Sequence, residues 1–438
     1  MTAGNSTFLE RLASRRRFGV RPGLETIRAL MSALGNPQET LRCVHIAGTN
    51  GKGATAAMLE SILRAAGCST ARYTSPHLVS IAERFFLNGM PTRSEVLDAV
   101  ADEVFPAVER LEREKGLEIT FFEALTAVAF VLFARARPDV VVLEAGLGGR
   151  LDATNVIERP LVSVITRIGL DHCDWLGRTH AAIAEEKAGI VKPGRPVVCG
   201  AMPNEALEVV KRIASVRGAP LMVAPAWKPP AGFALFGGFQ EENAATVKAV
   251  VDVLRGGVSG ARGDFFVPDD AIARGLSSVV WPGRCQRIER DGVTFVVDGA
   301  HNPDAAAALV AALREMRLPG PVGLVAGFCG DKDADGHLAM MSSVVTRGWS
   351  VPIRNSRSLA AGIVAAKMRA AGIHGAAECA TLRSALDEAA AWARGRAGSV
   401  VVCGSLFLAG EALVELGAYP WPFVQPDDNE PMPMSPAH

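Results

Sequence analysis

A short apolar run, Cys43 to Ala47, breaks off into Gly48-Thr49-Asn50-Gly51-Lys52-Gly53, and an alanine-rich amphipathic stretch of helical length, Thr55 to Ala66, follows at once. Strand, glycine loop and helix in that order leave few folds open, because such a strand lies inside a sheet whose next parallel strand is reached through a helix. The loop also carries chemistry. Glycines let backbone N–H groups curl around an anion, the helix start adds about half a positive charge, and Lys52 supplies a cation for the β- and γ-phosphates of a nucleotide. Gly53 and Ala54 follow the lysine where the general pattern has a Ser or Thr hydroxyl, so one familiar magnesium ligand is missing from the loop. Gly67 is placed to end the helix as a left-handed cap.

The same alternation continues along the chain. Val140 to Ala145, Leu161 to Ile165 and Pro196 to Cys199 read as further strands separated by Ala-rich helical segments, the pattern of a mainly parallel sheet. A second series starts near Gly292, with strands Val293 to Val297, Val322 to Ala326 and Ser399 to Cys403 and a helix after Pro303. Trp281-Pro282-Gly283-Arg284 forms a turn-like link before it, so the boundary is placed near residue 283, giving a domain over 1–283, a smaller one over 284–424 and a tail over 425–438. The tail is rich in proline and acidic residues and is expected to be disordered. In open α/β sheets ligands bind beyond the carboxyl ends of strands, which directs attention to those junctions.

Bulk properties exclude several classes. With 46 basic and 46 acidic residues there is no net field toward nucleic acid or an anionic membrane. The longest apolar stretch, Phe121 to Ala134, is interrupted by Glu123 and Thr126 and is too short to span a bilayer, so it reads as a buried helix. Eight cysteines without a CxxC pair fit reduced thiols, and Arg15-Arg16-Arg17 is not followed by the apolar segment of a secretory signal, so a cytoplasmic protein is expected.

Further stretches carry chemistry at the strand ends. They are Tyr73-Thr74-Ser75-Pro76-His77-Leu78; Thr120-Phe121-Phe122-Glu123; Glu144 with Leu147-Gly148-Gly149-Arg150-Leu151-Asp152-Ala153-Thr154-Asn155; Asp171-His172 with Trp175-Leu176-Gly177; and Glu186-Lys187-Ala188-Gly189-Ile190. Trp281-Pro282-Gly283-Arg284 and Asp298-Gly299-Ala300-His301-Asn302-Pro303 follow in the second half. Glu144, closing an apolar strand, suits Mg2+, which prefers oxygen ligands and keeps water and phosphate in its shell. Thr120 and Phe122 offer a hydroxyl and an aromatic face to a flat heteroaromatic ring.

In order and spacing, over roughly residues 18 to 410, these segments resemble the folylpolyglutamate synthase and dihydrofolate synthase family, relatives of the Mur peptide ligases. The resemblance implies a P-loop-containing, Mur-ligase-like N-terminal α/β domain and a smaller Rossmann-like α/β C-terminal domain. It implies ATP held by Gly48, Thr49, Asn50, Gly51, Lys52 and Gly53, and from the other side by Asn243, Arg284, Asp298 and His301. It implies Mg2+ on Ser75, Glu144 and His172, with Ser75 offsetting the hydroxyl absent from the loop. Dihydropteroate or folate would sit against Val20, Arg21, Pro22, Thr120, Phe122, Leu151, Asp152 and Ala153, although Arg21-Pro22 depart from the familiar bacterial pattern. Lys52, His172 and Lys187 would serve catalysis, with Lys187 carbamylated, a modification that needs an amine of lowered pKa.

The implied reaction forms an acyl phosphate from the substrate carboxylate and ATP, then an amide with L-glutamate, in a monomer that needs neither nucleic acid nor membrane. A Mur-type ligase acting on another carboxylate and a non-ligase ATP-binding module are the competing readings.

Overall fold

The computed structural model describes residues 7–13, 15, 23–256 and 265–421. Val20, Arg21 and Pro22, and the tail over 425–438, fall outside the described residues.

Fourteen strands form two sheets among the described residues. The first contains β1 (Cys43–Ala47), β2 (Thr70–Tyr73), β3 (Phe85–Leu87), β4 (Met90–Pro91), β5 (Val140–Glu144), β6 (Val162–Ile165), β7 (Val197–Cys199) and β8 (Leu221–Val223), in the order β4-β3-β2-β5-β1-β6-β7-β8. All its pairings are parallel except those of the β2–β3–β4 edge. β1 is central, with β5 on one flank and β6 on the other. The early chain runs from β1 toward β2 and the later chain passes to β6 and β7, so the direction of winding reverses beside β1. That reversal leaves a crevice beyond the strand ends.

The second sheet comprises β9 (Gln286–Arg290), β10 (Val293–Val297), β11 (Val322–Ala326), β12 (Arg347–Ser350), β13 (Ala377–Glu378) and β14 (Ser399–Cys403), ordered β13-β12-β11-β14-β10-β9. Only β9 runs antiparallel. The central strands of both sheets are buried along their whole length, as expected where helices cover both faces.

The helix after β1 departs from the sequence reading in two ways. It spans Lys52–Ala65, so it starts at the loop lysine and not at Thr55, and every residue from Gly53 to Leu63 is buried. It is therefore enclosed and not amphipathic. One face lies on the sheet, while the Gly238–Leu254 and Asp269–Ser278 helices cover the others. At the last of these contacts, a Cβ on Gly275 would lie 2.5 Å from Ile62 Cα, so only glycine permits the approach. Glu60, buried in this helix, is satisfied by the Thr70 hydroxyl at 2.6 Å and faces Arg72 at 3.8 Å. As expected, Gly67 closes the helix with φ +91°. Phe121–Ala136 forms the buried helix read from its apolar run, and His180–Ala188 carries Lys187. All eight cysteines are free thiols, six of them buried. No helix among the described residues is long and apolar enough to cross a membrane.

Candidate active site

The carboxyl ends of the two sheets face each other across a cavity of about 1430 Å3. Every described residue given a site role from the sequence lines it: the Gly48–Gly53 loop, Ser75, Thr120, Phe122, Glu144, Leu151, Asp152, Ala153, His172, Lys187, Asn243, Arg284, Asp298 and His301.

The glycine loop is held from outside by its neighbours. Thr49 donates its amide to Arg167 O at 2.8 Å and its hydroxyl to Gly169 O at 3.0 Å, while Thr166 Oγ1 donates to Asn50 O at 2.8 Å. Gly51 has φ +87°, and a Cβ there would lie 2.2 Å from Asn243 Oδ1, so both backbone conformation and space require glycine. A Cβ on Gly53 would meet the Trp281 ring at 2.3 Å, so the linker tryptophan packs flush on the loop. Lys52 Nζ donates to Thr49 O at 3.2 Å and lies 4.0 Å from Glu144 Oε1. The next hydroxyl along, Thr55, is fully buried and does not line the cavity.

Glu144 ends β5 and accepts the Ser75 amide at 3.1 Å on Oε2. Burial pushes its carboxyl pKa up, against the pull of Lys52, the Ser75 amide, Arg284 and Arg72. A buried carboxyl facing a cavity with lone pairs to spare is a place where a hard dication would restore the anion. Among the described residues no three His, Cys, Asp or Glu side chains close on one point. Ser75, Glu144 and His172 all line the cavity, and oxygen and imidazole donors of this kind are ones that a metal keeping water and phosphate in its shell accepts. His172, after β6, is pushed below the usual imidazole range by burial, opposed by Asp171, with Lys332, Lys52 and Lys187 adding to the fall. Lys187 is buried and donates to Gly48 O at 2.8 Å. Burial, aided by Lys52, lowers its amine to about 7.

On one wall, the Phe122 ring lies where a Cβ of Gly146 would be, 2.4 Å away, and the Asp152 carboxylate accepts the Leu147 amide at 2.8 Å. Thr120 is less free than its sequence suggested. It caps the Phe121–Ala136 helix, accepting the Glu123 amide and donating its hydroxyl to Glu123 Oε2 at 2.8 Å, a capping box that consumes its proton.

The opposite wall comes from the second sheet. Asp298, just past β10, accepts the amides of Cys285 and Ala300 at 2.7 Å each, and its carboxyl is pushed up by burial and pulled down by Arg284. Arg284 Nη1 donates to Gly283 O at 2.9 Å and occupies space that a side chain on Gly299 would fill. His301 Nδ1 lies 3.0 Å from Gly299 O.

Lys332, past β11, was not anticipated, yet its charge acts on Asp171, His172 and His301, so groups from both sheets meet electrically. The signal available was positional: Gly330-Asp331-Lys332 follows a strand end, the same junction logic that drew attention to Asp298. Asp171 belonged to a quoted motif without an assigned role. Despite burial, which raises it, His172, Lys332 and His301 hold it below the usual carboxylate range.

Comparison with known proteins agrees with this arrangement. Residues 46–215 match the Mur ligase middle domain and 283–406 the Mur ligase glutamate ligase domain. The chain is 34% identical over 354 residues to the dihydrofolate synthase/folylpolyglutamate synthase of Bacillus subtilis, covering 75% of this chain and 81% of that one. The folylpolyglutamate synthase of Mycobacterium tuberculosis, solved in complex with ADP and AMPPCP, superposes with TM-score 0.85 at 32% identity, over 94% of this chain and 98% of that one. A bifunctional folylpolyglutamate synthase/dihydrofolate synthase solved with Mn, AMPPNP and L-glutamate bound superposes with TM-score 0.79 at 30% identity, over 94% and 98%.

Proposed function

The chain belongs to the dihydrofolate synthase/folylpolyglutamate synthase family of ATP-dependent, amide-forming ligases, and we propose that it joins L-glutamate to the carboxylate of both dihydropteroate and reduced folates. The observation that carries this reading is the convergence of strand ends from two sheets on one cavity, with the glycine loop and Lys52 on one wall and Arg284, Asp298 and His301 on the other. Such a cavity can grip a triphosphate from both sides while a flat substrate lies along Phe122 and Asp152.

In this reading the substrate carboxylate attacks the γ-phosphate, ADP leaves, and glutamate's amine then displaces phosphate from the acyl phosphate. No protein nucleophile is required. The loop amides, the start of the Lys52–Ala65 helix and Lys52 offset charge on the phosphoryl oxygens, so catalysis is mainly positioning and electrostatics. Ser75, Glu144 and His172 would hold the divalent metal, which supplies further charge neutralisation when bound. Asn243, Arg284, Asp298 and His301 secure the nucleotide, and Thr120, Phe122, Leu151, Asp152 and Ala153 the pterin, with Thr120 contributing through its remaining lone pair. Lys187, with its lowered amine, is carbamylated. Residues 1–283 form the ATP-binding P-loop domain and 284–424 the glutamate-ligase domain, which reaches the nucleotide from its other side, within a cytoplasmic monomer.

The test is ADP release and product mass from purified protein given ATP, L-glutamate and either dihydropteroate or tetrahydrofolate, beside a UDP-linked peptide. Glutamylated pterin products with both folate substrates are expected. ADP release driven only by the peptide, or by none of them, would overturn the assignment.

A further inference from the structure

Behind the pterin-facing wall a buried hydrogen-bond chain runs from β1 to Asp152. His45, at the middle of β1, is fully buried, and its Nε2 lies 2.8 Å from Thr154 Oγ1. Thr154 Oγ1 in turn lies 2.5 Å from Asp152 Oδ1, which also accepts the Thr154 amide at 3.0 Å. Oδ2 accepts the Leu147 amide at 2.8 Å. Asp152 lines the cavity, whereas His45 and Thr154 do not.

The direction of this chain follows from proton counting. Burial pushes the Asp152 carboxyl up, while the Thr154 hydroxyl and the amides of Leu147, Thr154 and Gly146 pull it back toward the anion that these donors complement. Thr154 has a single hydroxyl proton, and an anionic Asp152 can only accept it, so Thr154 must accept in turn from the N–H of His45 Nε2. That fixes the tautomer of the ring and leaves Nδ1 bare, matching its lack of any hydrogen-bond partner. Burial keeps the imidazole neutral, its pKa pushed down to about 3. A carboxylate torsion is otherwise broad and roughly two-fold. Here the Thr154 hydroxyl and the amides of Thr154, Leu147 and Gly146 pin it.

We propose that His45 and Thr154 are positioning residues for the pterin end of the carboxylate substrate, acting only through Asp152, whose carboxylate they hold in one orientation at the cavity wall. The proposal rests on the reading of Asp152 as a pterin contact. It also places the aligning group on the strand that ends in the phosphate loop, so one rigid element serves both reacting partners.

Steady-state kinetics at saturating ATP and glutamate test it. Thr154→Val, nearly isosteric, is expected to raise KM for dihydropteroate about tenfold, the scale of a hydrogen bond to a charged group, with kcat and the KM for ATP within about twofold of wild type. Thr154→Ser and His45→Gln, which keep a hydroxyl and an N–H donor in place, should stay near wild type. Because the effect passes through Asp152, Thr154→Val should add nothing to Asp152→Asn. An unchanged KM in Thr154→Val, or an equal further loss in the double variant, would overturn the positioning role. If Asp152→Asn itself leaves that KM unchanged, the pterin reading of Asp152 fails and the proposal falls with its premise.

Discussion

Burial dominates the shifts of three groups around Lys52, and the lysine's charge acts on each of them. It pulls Glu144 toward the anion and pushes His172 and Lys187 toward neutrality. Lys52→Ala is expected to keep the circular dichroism and melting temperature of the parent while ADP formation falls by at least about a thousandfold, because charge on the transferring phosphoryl group loses its nearest cation. Near-parental turnover would remove that role. Lys187 supplies a pH prediction. Its amine is half neutral near pH 7 in the folded protein but charged to about pH 10 when unfolded. The unfolded state binds the extra proton across that window, so the linked stability grows as pH rises from about 7 to 10 and is lost on returning below 7. The free amine that can take up CO2 grows in the same direction. With 13C-labelled bicarbonate, a protein carbamate resonance should strengthen as pH is raised through 7 and be absent in Lys187→Met; a resonance that survives the substitution would place the modification elsewhere.

Elements differ in how much of themselves they show in sequence. β1, β10, β11 and β14 have the limits read from their apolar runs, because each is a short apolar stretch bounded by Gly, Pro or polar residues. β2 is harder to see. It carries Arg72 mid-strand, and the partner that makes this tolerable, Glu60, lies buried on the preceding helix. Phe86 and Trp281 both lie near the same guanidinium, with ring centroids 3.9 and 5.5 Å from its carbon, the second contact spanning over two hundred positions of chain. The candidate site was more legible than the fold, since its residues gather at strand ends in short motifs. What stayed hidden were groups such as Lys332 that matter only through the opposite sheet. The capping box at Thr120 was hidden in another sense, its residues quoted but read for a ligand. Thr120→Ala is expected to lower stability by about 1 kcal/mol and Thr120→Ser by much less, measured by urea unfolding. Equal stability of the two variants would show that the cap contributes little.

Across the whole molecule the two sheets are joined by more than the linker. Tyr419, after the last helix, donates its hydroxyl to Glu83 Oε1 at 2.8 Å, and Glu83 accepts the amides of Leu78, Val79 and Ser80 in the loop that follows Ser75. Leu78 packs into the core of the second sheet, and Gly410 has no room for a Cβ beside Leu78 O. Tyr419→Phe should therefore move the urea midpoint down by the equivalent of about 1–2 kcal/mol at unchanged slope. An unaltered midpoint would mean that the far end of the chain does not brace this loop. The tryptophan seated on Gly53 has a geometric consequence. Were the second sheet to turn about this contact, Arg284, three residues further along the chain, would move least and the outer strands β12 and β13 most, so a few degrees of rotation would widen the far mouth of the cavity while leaving its glycine-loop end nearly unchanged.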